Sequence, residues 1–86
     1  MPVYNECERV ERAIAEVLAT ELPTEFELIV VDDGSTDGTA EILDVGDWSE
    51  RVRLFRHDHN QGKGAAVRTA LAQAKGEFAA IFDADL

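Results

Sequence analysis

Four groups of residues in this sequence are of a type and spacing that could do chemistry. They are Asp32-Asp33, His57-Asp58-His59, the glycine-rich run Asn60-Gln61-Gly62-Lys63-Gly64, and Asp83-Ala84-Asp85. Carboxylates brought close together repel one another and any phosphate. At an effective dielectric of 20 and about 5 Å, each like-charge pair costs roughly 3 kcal/mol. A divalent cation reverses that sign, and Mg²⁺ or Mn²⁺ is typically held by one or two carboxylates together with substrate phosphates. An Asp-x-Asp at the end of a strand suits this role, because period-2 alternation sends both carboxylates to one side. In the glycine-rich run, glycines permit close backbone approach, helix-entry amides attract anions, and Lys63 supplies a point charge. It is not a P-loop, since Gly64 stands where Ser or Thr is required.

The same residues also fit plainer uses. Asp32, Asp33 and Asp37 are common turn and N-cap types, and a glycine-rich turn can be no more than a helix entry. Histidines on a polar loop are more often solvated than metal-bound. Cys7, read as lying in a helix's first turn, has no histidine near it in sequence and reads as an inert thiol.

The elements that would position these groups alternate. From Asn5 a helix carries Val10, Ala13, Ile14, Val17 and Leu18 on one face, with Asn5 and Glu8 at capping-box spacing and Pro23 beyond its end. Phe26–Val31 reads as a strand covered on both faces, broken by Asp32-Asp33-Gly34-Ser35. A short helix is predicted from Thr36 or Asp37 to about Asp44, stopping before Gly46, and Trp48 covers a core edge. Val52–Arg56 is a third extended piece with Val52 and Leu54 on one side. A helix with Val67, Ala70, Leu71 and Ala74 follows, ending near Lys75-Gly76, and Phe78–Phe82 is a last buried strand. Such alternation implies an α/β fold with a parallel sheet and right-handed crossovers. In that sheet every strand's carboxyl end lies on one edge, where ligands bind.

At 86 residues the chain is one small domain or a piece of a larger one. Met1–Tyr4 reads as only the tail of a strand, and Phe78–Phe82 stops where a loop should begin. The expectation is a truncated fragment lacking most of its first strand and everything after Leu86. Residues 1–50 carry 14 acids and 2 bases, residues 51–86 carry 4 acids and 6 bases, and the net charge is −10. An acidic chain repels a nucleic-acid backbone, so nucleic-acid binding is disfavoured. The basic stretch can still meet a single nucleotide. One cysteine cannot form an intramolecular disulfide, which points to a reducing, cytoplasmic compartment. No apolar run approaches the roughly 20 residues that span a bilayer.

Taken together, Pro2-Val3-Tyr4-Asn5-Glu6, Val30-Val31-Asp32-Asp33-Gly34-Ser35-Thr36-Asp37-Gly38-Thr39, Asn60–Arg68 and Asp83-Ala84-Asp85 resemble glycosyltransferase family 2. These are GT-A-fold, Rossmann-like enzymes that use nucleotide-diphosphate sugars. Order and spacing agree over essentially the whole chain. Asn-x-Gly-Lys-Gly with Asp-Ala-Asp-Leu is most similar to the polyprenyl-phosphate branch, the dolichyl-phosphate mannose or glucose synthases. The resemblance implies that Pro2, Tyr4 and Glu6 line the nucleotide pocket and that Val31 and Asp33 contact base and ribose. It places Asp83 and Ala84 against ribose and diphosphate, Lys63 near the phosphates, and Mg²⁺ or Mn²⁺ on Asp85 with Asp83.

The implied partners are a UDP- or GDP-sugar and a lipid-phosphate acceptor, at the cytoplasmic face of a membrane in the full-length protein. Residues 1–86 would then be the donor-binding part of the domain, inactive alone and prone to self-association, with acceptor site and any catalytic base beyond Leu86. Two other readings share features. A response-regulator receiver also has an acidic pair after one strand and an aspartate after a later one, compare Asp32-Asp33 and Asp83. A sugar nucleotidyltransferase shares the sheet but opens on a glycine-rich signature that this chain lacks.

Overall fold

The computed structural model describes residues 1–20 and 26–74. It holds β1 (Pro2–Val3), α1 (Val10–Leu18), β2 (Leu28–Asp33), α2 (Thr39–Val45), β3 (Val52–His57) and α3 (Lys63–Gln73). The strands form one parallel sheet in the order β1-β2-β3, with Pro2 beside Val31 and Leu28–Asp33 beside Val52–His57. Met1 continues the β1 ladder: its amino group donates to the Ile29 carbonyl (2.7 Å) and its carbonyl accepts from Val31 (3.0 Å).

Strand alternation divides the core in two. On one face Leu28 and Val30 pack with Met1, Val3, the Val10, Ala13, Ile14 and Val17 stripe of α1, and Leu43 of α2. On the other, Ile29 and Val31 pack under Ala66 of α3, flanked by Phe55 and Ala70. The molecule is thus an α/β/α sandwich, with α1 and α2 on one side and α3 on the other. Covering both faces explains why all six residues of β2 are buried. Trp48 packs against the first cluster and donates its indole N–H to the Leu43 carbonyl (2.9 Å). A Cβ on Gly46 would lie 2.3 Å from that indole, so a side chain there would displace it.

Several boundaries differ from the sequence reading. α1 begins at Val10, with Arg9 as the flanking cap residue; Asn5 adopts φ +52°, the expected Asn5–Glu8 capping box does not form, and Cys7 lies before the helix. β2 runs through Asp32 and Asp33, which do not break it because both carboxylates are provided with partners inside the fold. α2 starts at Thr39, its first turn fastened by Asp37 Oδ1 accepting from the Thr39 amide (3.0 Å). On β3, Val52 packs against the core but Leu54 is 38% exposed. α3 presents Ala66 and Ala70 to the sheet, while Leu71 is half exposed and Ala74 is exposed. Small residues there let the helix sit close over β2; of the expected face Val67, Ala70, Leu71 and Ala74, Ala70 packs on the sheet, whereas Leu71 and Ala74 turn outward and Ala66 takes the centre. Lys75-Gly76 and the predicted strand Phe78–Phe82 lie outside the described residues. Among the described residues, no helix is long and apolar enough to cross a membrane.

Candidate functional site at the carboxyl edge of the sheet

Because the strands are parallel, the segments after β1, β2 and β3 converge on one edge. The first two are stitched together. Asn5 Oδ1 accepts from the Thr36 amide (2.8 Å), and the Asn5 amide donates to Ser35 Oγ (2.9 Å). The Glu6 amide donates to Thr39 Oγ1 (3.0 Å) and the Cys7 amide to Asp37 Oδ2 (3.2 Å). Asn5 takes a left-handed backbone, which Asn enters more readily than most residues, and its side chain is tied across the fold to Thr36. Asp37 gains so many donors, Thr39 first among them, that its carboxyl falls to about 2. The Cys7 thiol is pushed up instead, chiefly by its hydrogen bond to Asp37, which suits an inert thiol.

The second and third segments meet at Asp33. Its carboxylate accepts from four groups: His57 Nδ1 (2.8 Å) and the Gln61 amide (2.9 Å) at Oδ1, and Asn60 Nδ2 (3.1 Å) and the Gly62 amide (2.9 Å) at Oδ2. Only 2% of Asp33 is exposed. Burial pushes its carboxyl up, but the bonds from His57, Gln61 and Gly62 outweigh it and the net shift is downward. The loop can come this close because Gly34 has φ +72° and no side chain; a Cβ would lie 2.4 Å from the backbone of His59 and Asn60. Two amides of the glycine-rich run are therefore held by a carboxylate of the chain itself, a use the sequence did not suggest.

Asp32 points to the opposite face. Its Oδ1 accepts from the Ser35 amide (3.2 Å) and hydroxyl, while Oδ2 lies 3.7 Å from Arg56 Nε and has no hydrogen-bond partner among the described residues. Arg56 in turn reaches Asp44 (2.7 Å) and the Ala40 carbonyl (3.4 Å) of α2.

The residues expected to bind nucleotide fall as follows. Pro2 and Val31 are register partners in β1 and β2, and Val31 is fully buried beneath α3. Tyr4 is 45% exposed at the edge, and Glu6 pairs with Arg9 at 3.6 Å. Asp33 is the hub just described, and Lys63 is the exposed first residue of α3. Asp83, Ala84 and Asp85 lie outside the described residues. His57 does not stand open as a loop ligand: both ring nitrogens are engaged, Nδ1 with Asp33 and Nε2 with Thr69 Oγ1 (2.8 Å). Among the described residues, no three His, Cys, Asp or Glu side chains gather as a metal set. Sequence reasoning missed Thr69 and Arg56. A signal for Arg56 existed, since ending β3 on Arg-His places bases opposite the two acids that end β2.

The family described as glycosyl transferase family 2 matches residues 1–86. Glycosyltransferase AglD of Haloferax volcanii is 37% identical over 91 residues, covering 100% of this chain and 15% of that protein. Dolichyl-phosphate beta-glucosyltransferase ALG5C of Trichomonas vaginalis is 38% identical over 93 residues, covering 99% of this chain and 28% of that protein. Poly-beta-1,6-N-acetyl-D-glucosamine synthase of Staphylococcus epidermidis is 37% identical over 82 residues, covering 95% and 20%. The chain spans less than a third of the length of each of these relatives.

Proposed function

This chain belongs to glycosyl transferase family 2, and from that premise we propose that the protein containing it transfers a sugar from a nucleotide-diphosphate donor bound at the carboxyl edge of the sheet. The observation that carries the reading is the match of the family across all of residues 1–86. The receiver and nucleotidyltransferase readings have no comparable support.

On this reading the loop after β1, with Tyr4 and Glu6, forms one wall of the nucleotide site. Asp33 fixes the turn that starts α3, so that Lys63 and the positive end of the helix face the donor's phosphates. Asp83 and Asp85 supply hard oxygen donors of the kind that hold Mg²⁺ or Mn²⁺. When bound, the cation would stabilise charge developing on the nucleoside diphosphate as it leaves the sugar's anomeric carbon and the acceptor oxygen bonds there. We assign the acceptor to the lipid phosphates, on the Asn-x-Gly-Lys-Gly and Asp-Ala-Asp-Leu pattern and the dolichyl-phosphate relative. A lipid acceptor calls for a membrane surface, and we propose its cytoplasmic face as the place where the whole protein works.

Titration of the protein with UDP-glucose and GDP-mannose, each with and without Mn²⁺, tests the reading. Saturable binding of one donor that weakens when the metal is chelated is expected. Failure of both donors to bind would overturn it. Incubation with the bound donor and dolichyl phosphate tests the acceptor, and transfer only to a free saccharide would replace the lipid assignment.

A further inference from the structure

Asp33, His57 and Thr69 form a continuous chain from the end of β2, through the end of β3, to the middle of α3. Both links are 2.8 Å long, and the Asp33 and His57 side chains are 3% and 10% exposed. A carboxylate can only accept, so the proton of a neutral imidazole sits on Nδ1, facing Asp33. Nε2 is then the acceptor for the Thr69 hydroxyl. One end of the chain is thus anchored in α3 itself. The other end is the carboxylate whose two oxygens hold Asn60, Gln61 and Gly62, the residues immediately before Lys63. Turning the Asp33 carboxylate would release both turn amides together.

We infer that His57 is a positioning residue of the donor site: anchored by Thr69, it orients the Asp33 carboxylate so that the Asn60–Gly62 turn presents Lys63 and the start of α3 to the donor diphosphate. This rests on the function proposed above. His57 touches no reacting atom on this account and acts only through Asp33.

The test compares H57L, H57N and T69V in the intact protein, using UDP-glucose and GDP-mannose with Mn²⁺. Asn keeps an N–H donor near the Nδ1 position, whereas Leu keeps none. H57L should raise the donor KM about tenfold while kcat changes less than about threefold, the size expected for one lost charge-assisted hydrogen bond. H57N should restore KM to within about threefold of wild type, and T69V should fall between the two. I14V, a destabilising change in the core on the other face, should leave KM unchanged. A wild-type KM in H57L, or an H57N as impaired as H57L, overturns the inference. Should H57L not fold, the imidazole ¹⁵N spectrum of the wild type decides: a proton on Nδ1 supports the chain, and a proton on Nε2 alone overturns it. Wild-type protein that uses neither donor would sink the proposed function, while the ¹⁵N spectrum would still judge the Thr69–His57–Asp33 link.

Discussion

Replacing Asp33 by Asn isolates the central group of this edge while barely changing its volume. The carboxylate has an N–H donor pair at each oxygen: His57 and Gln61 at one, Asn60 and Gly62 at the other. Whichever way the amide of D33N turns, its NH₂ replaces one acceptor and confronts a backbone N–H, either of Gln61 or of Gly62. A buried donor left without a partner costs about 1–3 kcal/mol, and the lost charge weakens the remaining bonds as well, for a total of about 3 kcal/mol. Asp33 is buried, so solvent screening does not discount this. In urea that loss lowers the unfolding midpoint by about 1–2 M. The pH dependence supplies the control. Because the folded-state pKa of Asp33 is depressed, its contribution is complete above the unfolded value of about 3.9 and is lost as pH falls through the folded value. The gap between wild type and D33N should therefore be full at pH 7 and close progressively below about pH 4. A midpoint unchanged at pH 7, or a gap that persists undiminished at pH 3, would refute the hub.

Three further outcomes follow from the same geometry. G34A forces a side chain into φ +72° and places its Cβ 2.4 Å from backbone atoms of Asn60 and His59, which cannot swing aside. A loss of about 3 kcal/mol is expected, and a urea midpoint close to wild type would show that the two loops do not meet. N5A removes the acceptor for the Thr36 amide and leaves a poorer residue at φ +52°. It should cost about 1–2 kcal/mol in thermal melts, with N5G recovering part of the loss. D85N should weaken Mn²⁺-dependent donor binding at least about tenfold and leave the residual binding indifferent to EDTA, and calorimetry showing full affinity would remove Asp85 from the metal site.

Much of the fold was legible in the sequence because it depends on periodicity. The Val10–Val17 stripe, the apolar run Leu28–Val31 and the Gly46 stop each carry a local signal of their type. What could not be read is where a polar side chain finds its partner across the fold. Asn5 sits three residues before Glu8, the spacing of a cap, yet its oxygen bonds Thr36, 31 residues away. His57 reads as one of three polar loop residues, yet it is the last residue of β3 and lies directly beside Asp33. Sequence gives the identity of both groups, but only the β2–β3 register makes them neighbours. The face of α3 was misread in part for a related reason: Ala70 was read correctly, but Leu71 was preferred as the more apolar residue to Ala66, whose small side chain is what close approach to the sheet requires.

The register also resolves the problem that so many carboxylates near a phosphate site would pose. Successive residues on a strand face opposite sides, so Asp32 and Asp33 are directed to different layers although they adjoin in sequence. Each lies opposite a nitrogen base on β3, Asp32 beside Arg56 and Asp33 beside His57. Arg56 carries the first pairing on to Asp44 and Ala40, tying α2 to the sheet, and Asp44 together with Asp32 holds its guanidinium more firmly protonated. The Gln61 and Gly62 amides carry the second to the start of α3. The Asp32 charge is thus paired with Arg56, and the Asp33 charge is solvated by His57 and the turn amides. A nucleotide-diphosphate sugar bound at this edge would meet two acids whose carboxylates are already engaged in holding the walls of the site. On the function proposed here, the demand for a divalent cation then falls on Asp83 and Asp85 and on the diphosphate itself. D33N and D85N should accordingly fail differently: the first through stability and the shape of the turn, the second through the metal dependence of binding.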